Sequence, residues 1–461
     1  MVRRLSTLAV LAMFLVPTAL VAAEAPARRP NVLFLFSDDQ RADTVATPGS
    51  PANSPNVDAL AARGTVLTRV YCNGGLEGAI CLPSRAMLMS GRGLFRIDRQ
   101  LKGQGTWPEA FGEAGYATFA TGKWHNGPES LARSFQRAEA IFMGGMGDPY
   151  KLPLQDLGPD GKLGPRRLSG EHSVKLFADA AVRFLKDHQG DAPFLCYVAF
   201  NSPHDPRVTP PEYRAKYHDA DLPLPANFLP DHPFDNGELK IRDEELAPHP
   251  RTPGVVRKHL GDYYASIEYL DAQVGRILEA LRDAGHEGDT IVVFASDHGL
   301  AIGSHGLMGK QNLYEHSMRA PAVLAGPGVP VGRRIDAIAY LHDLFPTLGE
   351  LAGVAGPEGS EGLSLVPVLK GETRTRRTDV LTAYRDVQRA IRDERWKLIV
   401  YPRVNRVQLF DLRDDPDELH DLSADPEHAD EVVRLAILLR RRQAEAGDVQ
   451  PLESDRPAAP R

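Results

Sequence analysis

Residues 31–39 read NVLFLFSDD, and this stretch decides the fold. Val32 to Phe36 are apolar without interruption, the mark of a strand buried on both faces; a strand with one wet face would alternate. The run stops at Ser37 and two carboxylates, which places polar groups at the strand's carboxyl end. Residues 117–120, 194–200 (FLCYVAF) and 290–295 (TIVVFA) repeat the pattern. Helical segments alternate with them. Residues 174–186 put Val174, Phe177, Ala181 and Phe184 on one face, and 259–284 form a longer amphipathic stretch closed by Gly285. This alternation predicts an α/β fold, a large mostly parallel sheet sandwiched by helices. In such sheets functional groups collect at the carboxyl ends of the strands. Here those ends carry Asp38-Asp39, Asn201-Ser202-Pro203-His204 and Ser296-Asp297-His298.

Further out, residues 205–253 are rich in Pro, His and acidic residues and read as a long surface excursion. Past about residue 372 short runs at 380–384, 388–392, 396–401 and 407–412 predict a small antiparallel sheet. A terminal helix follows, with Asp425 as N-cap, Pro426 at its first position, Gly447 past its end and a buried stripe of Val432, Leu435 and Leu439. At the other end, residues 1–23 combine Arg3 and Arg4, an apolar run from Leu8 to Val16 and small residues Val21-Ala22-Ala23, with a second candidate cleavage after Ala25. That is the pattern of a secretory signal, and the shortness of the run and Pro17 argue against a membrane anchor. The expected organisation is a signal at 1–23, a main domain at 24–371, a C-terminal subdomain at 372–447 and a mobile tail at 448–461. The expected location is periplasmic or secreted, with no stable membrane span after cleavage.

The 461 residues are 42% hydrophobic and 25% charged, which excludes disordered, collagen-like and coiled-coil classes. A formal charge of −7 argues against a nucleic-acid partner. An anion handled by this chain therefore needs a local cluster of cations. Three cysteines, Cys72, Cys81 and Cys196, cannot build a disulfide framework, and in an exported chain an odd cysteine needs an explanation.

Asp38 and Asp39 repel one another at a strand exit; a hard cation, Ca²⁺ or Mg²⁺, resolves that repulsion, and capping of loop amides is the alternative. Asp297-His298 repeats the arrangement, with Gly299 allowing a tight turn and the imidazole keeping Mg²⁺ or Mn²⁺ open beside Ca²⁺. In Cys81-Leu82-Pro83-Ser84-Arg85, Cys81 reads either as a thiolate activated by Arg85 and a helix N-terminus or as a small buried hydrophobe before a helix over 84–89. No second cysteine stands at zinc-ligand spacing, and the glycine-rich cradle of a cysteine phosphatase is absent. Lys123 and His125 lie two apart in GKWH, His204 follows an apolar strand in NSPH, and Lys310 is flanked by glycines that permit close approach to a ligand. Each of these has an ordinary solvated reading when taken alone.

Taken in order, NVLFLFSDD, CLPSRAMLMSGR (81–92), GKWH, NSPH, SDHG and Lys310 resemble the type I, formylglycine-dependent sulfatases of the alkaline phosphatase superfamily, from Asn31 to about Leu422. The resemblance implies that a formylglycine-generating maturation enzyme oxidises Cys81 to Cα-formylglycine, whose hydrated aldehyde is the nucleophile. It implies one divalent cation, Ca²⁺ before Mg²⁺ or Mn²⁺, on Asp38, Asp39, residue 81, Asp297 and His298. Many members carry Asn at the last position; the Asp-His pair resembles the branch that contains iduronate-2-sulfatase. Arg85 would orient the hydrated aldehyde, and Lys123 and Lys310 would contact sulfate oxygens. His204, with Lys310, would protonate the leaving alcohol, and His125 would take the proton that lets sulfate depart.

The implied reaction is hydrolysis of a sulfate ester through a covalent enzyme–sulfate intermediate, expected on sulfated carbohydrates, with a small aryl or choline ester as the rival substrate. The alternatives are a phosphonate or phosphate ester hydrolase of the same superfamily and a non-catalytic sulfated-glycan binder in which Cys81 stays a thiol. Superfamily phosphatases generally use two metals, and the sequence offers ligands for one clear site. Selectivity is expected from 74–78, 143–150, 205–253 and the C-terminal subdomain.

Overall fold

In the computed structural model, which describes residues 28–218 and 220–454, the Asn31–Ser37 strand is buried along its whole length. Val32, Phe34 and Phe36 face one hydrophobic core while Leu33 and Leu35 face another, so the uninterrupted apolar run reflects two covered faces. The signal at 1–23 and residues 455–461 of the tail lie outside the described residues.

The strand sits inside a ten-stranded sheet. From one edge its order is Arg333–Tyr340, Thr65–Tyr71, Arg319–Ala325, Thr290–Ser296, Asn31–Ser37, Phe194–Ala199, Ala117–Lys123, Arg137–Phe142, Pro153–Leu157 and Arg167–Leu168. The central run from Thr290–Ser296 to Arg137–Phe142 is parallel throughout, and antiparallel pairings appear on both sides of it. Helices Pro55–Ala62, Ser173–Asp187 and Pro253–Asp283 cover one face; Cys81–Ser90, Trp107–Glu113, Pro128–Ser134 and Leu344–Ala352 cover the other.

A second, five-stranded sheet follows, antiparallel through Val380–Tyr384, Gln388–Arg392, Trp396–Tyr401 and Arg406–Asp411. Its fifth member comes from far upstream: Gly74–Gly75 pairs in parallel with Ala383 and Tyr384. Gly74 adopts φ +93°, and a Cβ there would stand 1.9 Å from the Ala383 carbonyl oxygen, so only glycine fits. The small sheet is thereby stitched to the segment that leads into Cys81. The terminal helix Ala429–Ala446 packs Leu435 and Leu439 on the outer face of the small sheet, with Val432 half-buried. Asp425 caps a short 3-10 turn, Pro426–His428, that opens into this helix.

Two stretches differ from expectation. Residues 205–253 are more than a surface loop, because they contain the helix Pro211–His218 and bury Tyr217, His232, Asp243, Glu244 and Arg251. The described part of the tail, 448–454, is docked: Asp448 pairs with buried Arg389 at 2.6 Å and Leu452 joins the small core.

Candidate active site

Strand register builds the site. Ser37 pairs with Ser296, so Asp38-Asp39 and Asp297-His298 leave adjacent strands side by side. Phe36 pairs with Ala199, and Ala199 with Gly122, which brings the exits toward His204 and Lys123 to the same edge. Gly122 has φ +96°, and a Cβ on it would lie 1.8 Å from the Ala199 carbonyl oxygen. Asp39 and His125 hold φ near +67° and +71°, a left-handed conformation unfavourable for non-glycine residues. Asp39 N–H donates to Asp297 Oδ1 at 3.0 Å, and the Tyr263 hydroxyl donates to the Asp39 carbonyl at 2.7 Å; these bonds keep the strained residue in place.

Cys81 opens the buried helix Cys81–Ser90 at this edge, and the helix N-terminus favours negative charge on residue 81. Its Sγ lies 3.2 Å from His298 Nε2, 3.3 Å from Lys310 Nζ and 3.6 Å from Asp39 Oδ1. Burial pushes the thiol pKa well above its ordinary value, against the pull of Lys310 and Lys123. As a thiol, Cys81 is a poor nucleophile here.

The cations are distributed among the carboxylates. Lys123 Nζ is 2.6 Å from Asp38 Oδ2; Lys310 Nζ straddles Asp39 at 2.8 and 2.9 Å. Arg85, fully buried against the Phe36 ring, reaches Asp297 at 3.3 Å and donates to the Lys123 carbonyl at 3.1 Å. Burial raises the pKa of Asp38, but Lys123 and then Arg85 outweigh it and hold the group well below the carboxylate range. Asp39 is likewise held low against burial, by His204 and Lys310. Asp297 is raised, chiefly by burial.

These donors fit a divalent cation. Ligand atoms of Asp38, Asp39 and Asp297, and of Cys81, Asp297 and His298, converge within 4.8 Å of one another. Asp38 Oδ1 is buried and accepts no hydrogen bond. His298 Nδ1–H donates to the Gly299 carbonyl at 3.0 Å, which leaves the Nε2 lone pair aimed at the cluster. Among the described residues the converging groups all belong to this one cluster.

A cavity of about 330 Å³ opens from Cys81, Lys310, His125 and His204. Burial lowers the His125 pKa to about 3, so the ring is a neutral base near pH 7, and its Nδ1 has no partner. His204 is also lowered by burial, against the opposing pull of Asp39, 3.8 Å away. Lys123, by contrast, is fully buried behind Asp38 and does not line the cavity. The outer wall comes from Gly78, Gly145-Met146, residues 238–243 and Tyr384-Arg385, one contribution from each segment expected to differ among relatives.

Some neighbours of the site carry no sequence signal. Glu244, from the 205–253 segment, accepts the N–H groups of Met308 and Gly309 at 2.9 Å each, and Arg251 buttresses it at 2.8 Å. Gln311 accepts the Lys310 N–H at 3.0 Å and ties the loop to Asp243 and Gly78. The backbone carrying Lys310 is thus clamped from outside its own segment. Acidic residues in a polar stretch predict nothing of this without the tertiary docking.

Comparison with known proteins shows what the chain as a whole is similar to. The sulfatase family profile matches residues 30–354, and that of the N-sulphoglucosamine sulphohydrolase C-terminal region matches 303–445. The chain is 26% identical to an N-acetylglucosamine-6-O-sulfatase of Bacteroides thetaiotaomicron, over 93% of this chain and 88% of that protein. It is 30% identical to a choline-sulfatase of Rhizobium meliloti, over 86% of this chain and 83% of the other. A structure solved in complex with its substrate D-glucosamine-2-N,6-O-disulfate superposes with TM-score 0.78 at 24% identity, covering 93% of this chain and all (100%) of that one. A phosphonate monoester hydrolase of Agrobacterium radiobacter superposes with TM-score 0.73 at 22% identity over 91% of this chain and 96% of its own. These two show that the chain shares their fold.

Proposed function

The chain belongs to the sulfatase family, and from that premise we propose that it hydrolyses sulfate esters of carbohydrates with a formylglycine made from Cys81. It is a sulfuric ester hydrolase. The observation that carries the mechanistic reading is the convergence of Asp38, Asp39, Asp297, His298 and Lys310 on Cys81 at the floor of the cavity. Sγ marks where the hydroxyls of hydrated formylglycine would stand.

In this reading one hydroxyl of the gem-diol attacks sulfur and the ester's S–O bond to the alcohol breaks, leaving sulfate covalently on residue 81. His204, with Lys310, delivers a proton to the departing alcohol oxygen. His125 removes the proton of the second hydroxyl; the C=O bond re-forms, sulfate leaves, and water rehydrates the aldehyde. Arg85 orients residue 81, and Lys310 meets the sulfate oxygens while Lys123 supports their charge from behind Asp38. A divalent cation held by Asp38, Asp39, Asp297, His298 and residue 81, Ca²⁺ in our reading, would polarise the sulfate and favour ionised hydroxyl. The Asp297-His298 pair supports a place near the iduronate-2-sulfatase-like branch. Residues 1–23 support export to the periplasm or beyond, where sulfated saccharides are met.

The test uses protein co-expressed with a formylglycine-generating enzyme, assayed for free sulfate from an aryl sulfate and a panel of sulfated saccharides, with Ca²⁺, Mg²⁺ or EDTA. The reading expects sulfate release that disappears in Cys81→Ala and with EDTA. Cleavage of phosphonate esters in preference to sulfate esters by verified formylglycine protein would overturn it.

A further inference from the structure

The geometry points to the outer wall of the cavity as a subsite for a neutral, hydroxyl-bearing sugar ring, one that selects against leaving groups carrying an ammonium or a carboxylate. This rests on the sulfatase reading of the floor and adds the identity of the group attached to the sulfate.

Above Lys310 the wall presents two guanidiniums and two carboxylates, already paired. Arg385 is bonded to Glu238, whose Oε1 also accepts from the Tyr384 hydroxyl at 3.3 Å and whose Oε2 faces Arg403 at 3.3 Å. Arg242 is bonded to Asp205 and stands 2.5 Å from Asp243 Oδ1, while Asp243 Oδ2 accepts from Gln311 at 2.9 Å. The wall therefore has no surplus charge to offer an ion. A carboxylate on the leaving group would need a guanidinium that is free, and both are taken. A quaternary ammonium needs aromatic faces or an unclaimed carboxylate. Tyr384 is the one Phe, Tyr or Trp side chain lining the cavity among the described residues, and it is only 1% exposed.

What the paired groups retain is hydrogen-bonding capacity. A guanidinium has five N–H donors and a carboxylate about four acceptor sites, more than these pairs consume. Arg242 and Arg385 keep side-chain exposures of 43% and 41% beside carboxylates that are nearly covered. Alternating donors and acceptors match vicinal hydroxyls, each of which donates and accepts. Ile241 and Met146 supply apolar contact for the C–H face of a ring. The pairing also implies a switch: neutralising Glu238 would release Arg385 to bind an anion.

The experiment measures kcat/KM of protein with verified formylglycine for four esters: a neutral hexose sulfate, a sulfated hexuronate, choline sulfate and an aryl sulfate. The wild type is expected to favour the hexose over the hexuronate and choline esters by at least about tenfold, the size of one hydrogen-bonded contact. Glu238→Gln should shift the hexuronate-to-hexose ratio upward by about tenfold, a gain that a merely structural role for Glu238 would not produce. Thermal shifts of Cys81→Ala protein with each ester should rank them identically without turnover. Preference for choline or hexuronate sulfate, or an unchanged ratio in Glu238→Gln, would overturn the subsite. Aryl sulfate separates the two levels: if verified formylglycine protein releases no sulfate even from it, the catalytic reading falls and the subsite with it.

Discussion

Where the Asn31–Ser37 strand ends, Asp38, Asp39 and Asp297 face Lys123, Lys310 and Arg85; where the small sheet docks on the large one, Glu315 and Glu418 face Lys397. Both clusters are buried, and both are held by residues distant in sequence. In the second, Lys397 Nζ lies 3.1 Å from Glu315 and 2.9 Å from Glu418, Tyr71 donates to Glu315 at 2.7 Å, and the Glu315 N–H donates to Glu418 at 2.8 Å. None of these side chains lines the Cys81 cavity. The first cluster instead has a cavity over its floor and ligand atoms of Asp38, Asp39, Cys81, Asp297 and His298 that converge beneath it. Buried charge with no opening onto it is a joint; buried charge whose ligand atoms converge beneath a cavity is a site.

Substitutions should separate the two. Cys81→Ala should reduce sulfate release by several orders of magnitude while the protein stays folded, read by turnover beside thermal denaturation. Lys397→Met should do the reverse: it strands two buried carboxylates, costing about 3–5 kcal/mol in denaturant titration, with the kcat of the folded fraction retained. Between these extremes lies Glu244→Gln, which weakens the clamp under Lys310. Its kcat/KM is expected to fall about tenfold to a hundredfold, and in a Lys310→Ala background the same change should cost far less, as expected of a residue that acts through Lys310.

The pH responses also differ between the regions. Burial raises the Glu418 pKa to about 7 from its ordinary 4.5. A carboxyl raised on folding contributes stability that is full below 4.5 and lost as pH rises through about 7. Glu418→Gln should flatten that part of the melting-temperature profile. At the site, His125 at about 3 must be deprotonated to act, so its rising limb lies in acid and the activity profile from about pH 5 upward should show no ascending limb from this residue.

Most of the cavity floor was legible in the sequence because Asp38-Asp39, Asp297-His298, Lys123 and His204 lie at or just past strand ends and Cys81 starts a helix, and the parallel register brings those ends to one edge. Lys310 sits in an irregular loop and was found only through the order of the motifs. The reading was weaker where local chemistry masks an element. Ala117–Lys123 runs on past 120 because the polar Thr-Gly-Lys continues the ladder, with Gly122 fitting the close approach. The long helix starts at Pro253, earlier than 259, capped by Thr252; glycine and charged residues in its first turns hide the periodicity. Glu238, Arg242, Asp243, Glu244 and Gln311 were not legible at all. Their roles come from docking a polar segment against the Lys310 loop and the small sheet, and nothing local distinguishes them from solvated residues.

The central claim is that residue 81, as formylglycine, carries sulfate during turnover. It is tested most directly by peptide mass spectrometry of residue 81 in His125→Ala protein mixed with an aryl sulfate, because loss of the base should trap the intermediate. The account predicts a sulfate adduct on a formylglycine at position 81, absent in Cys81→Ala. Turnover by wild-type protein whose residue 81 is wholly an unmodified cysteine would contradict it.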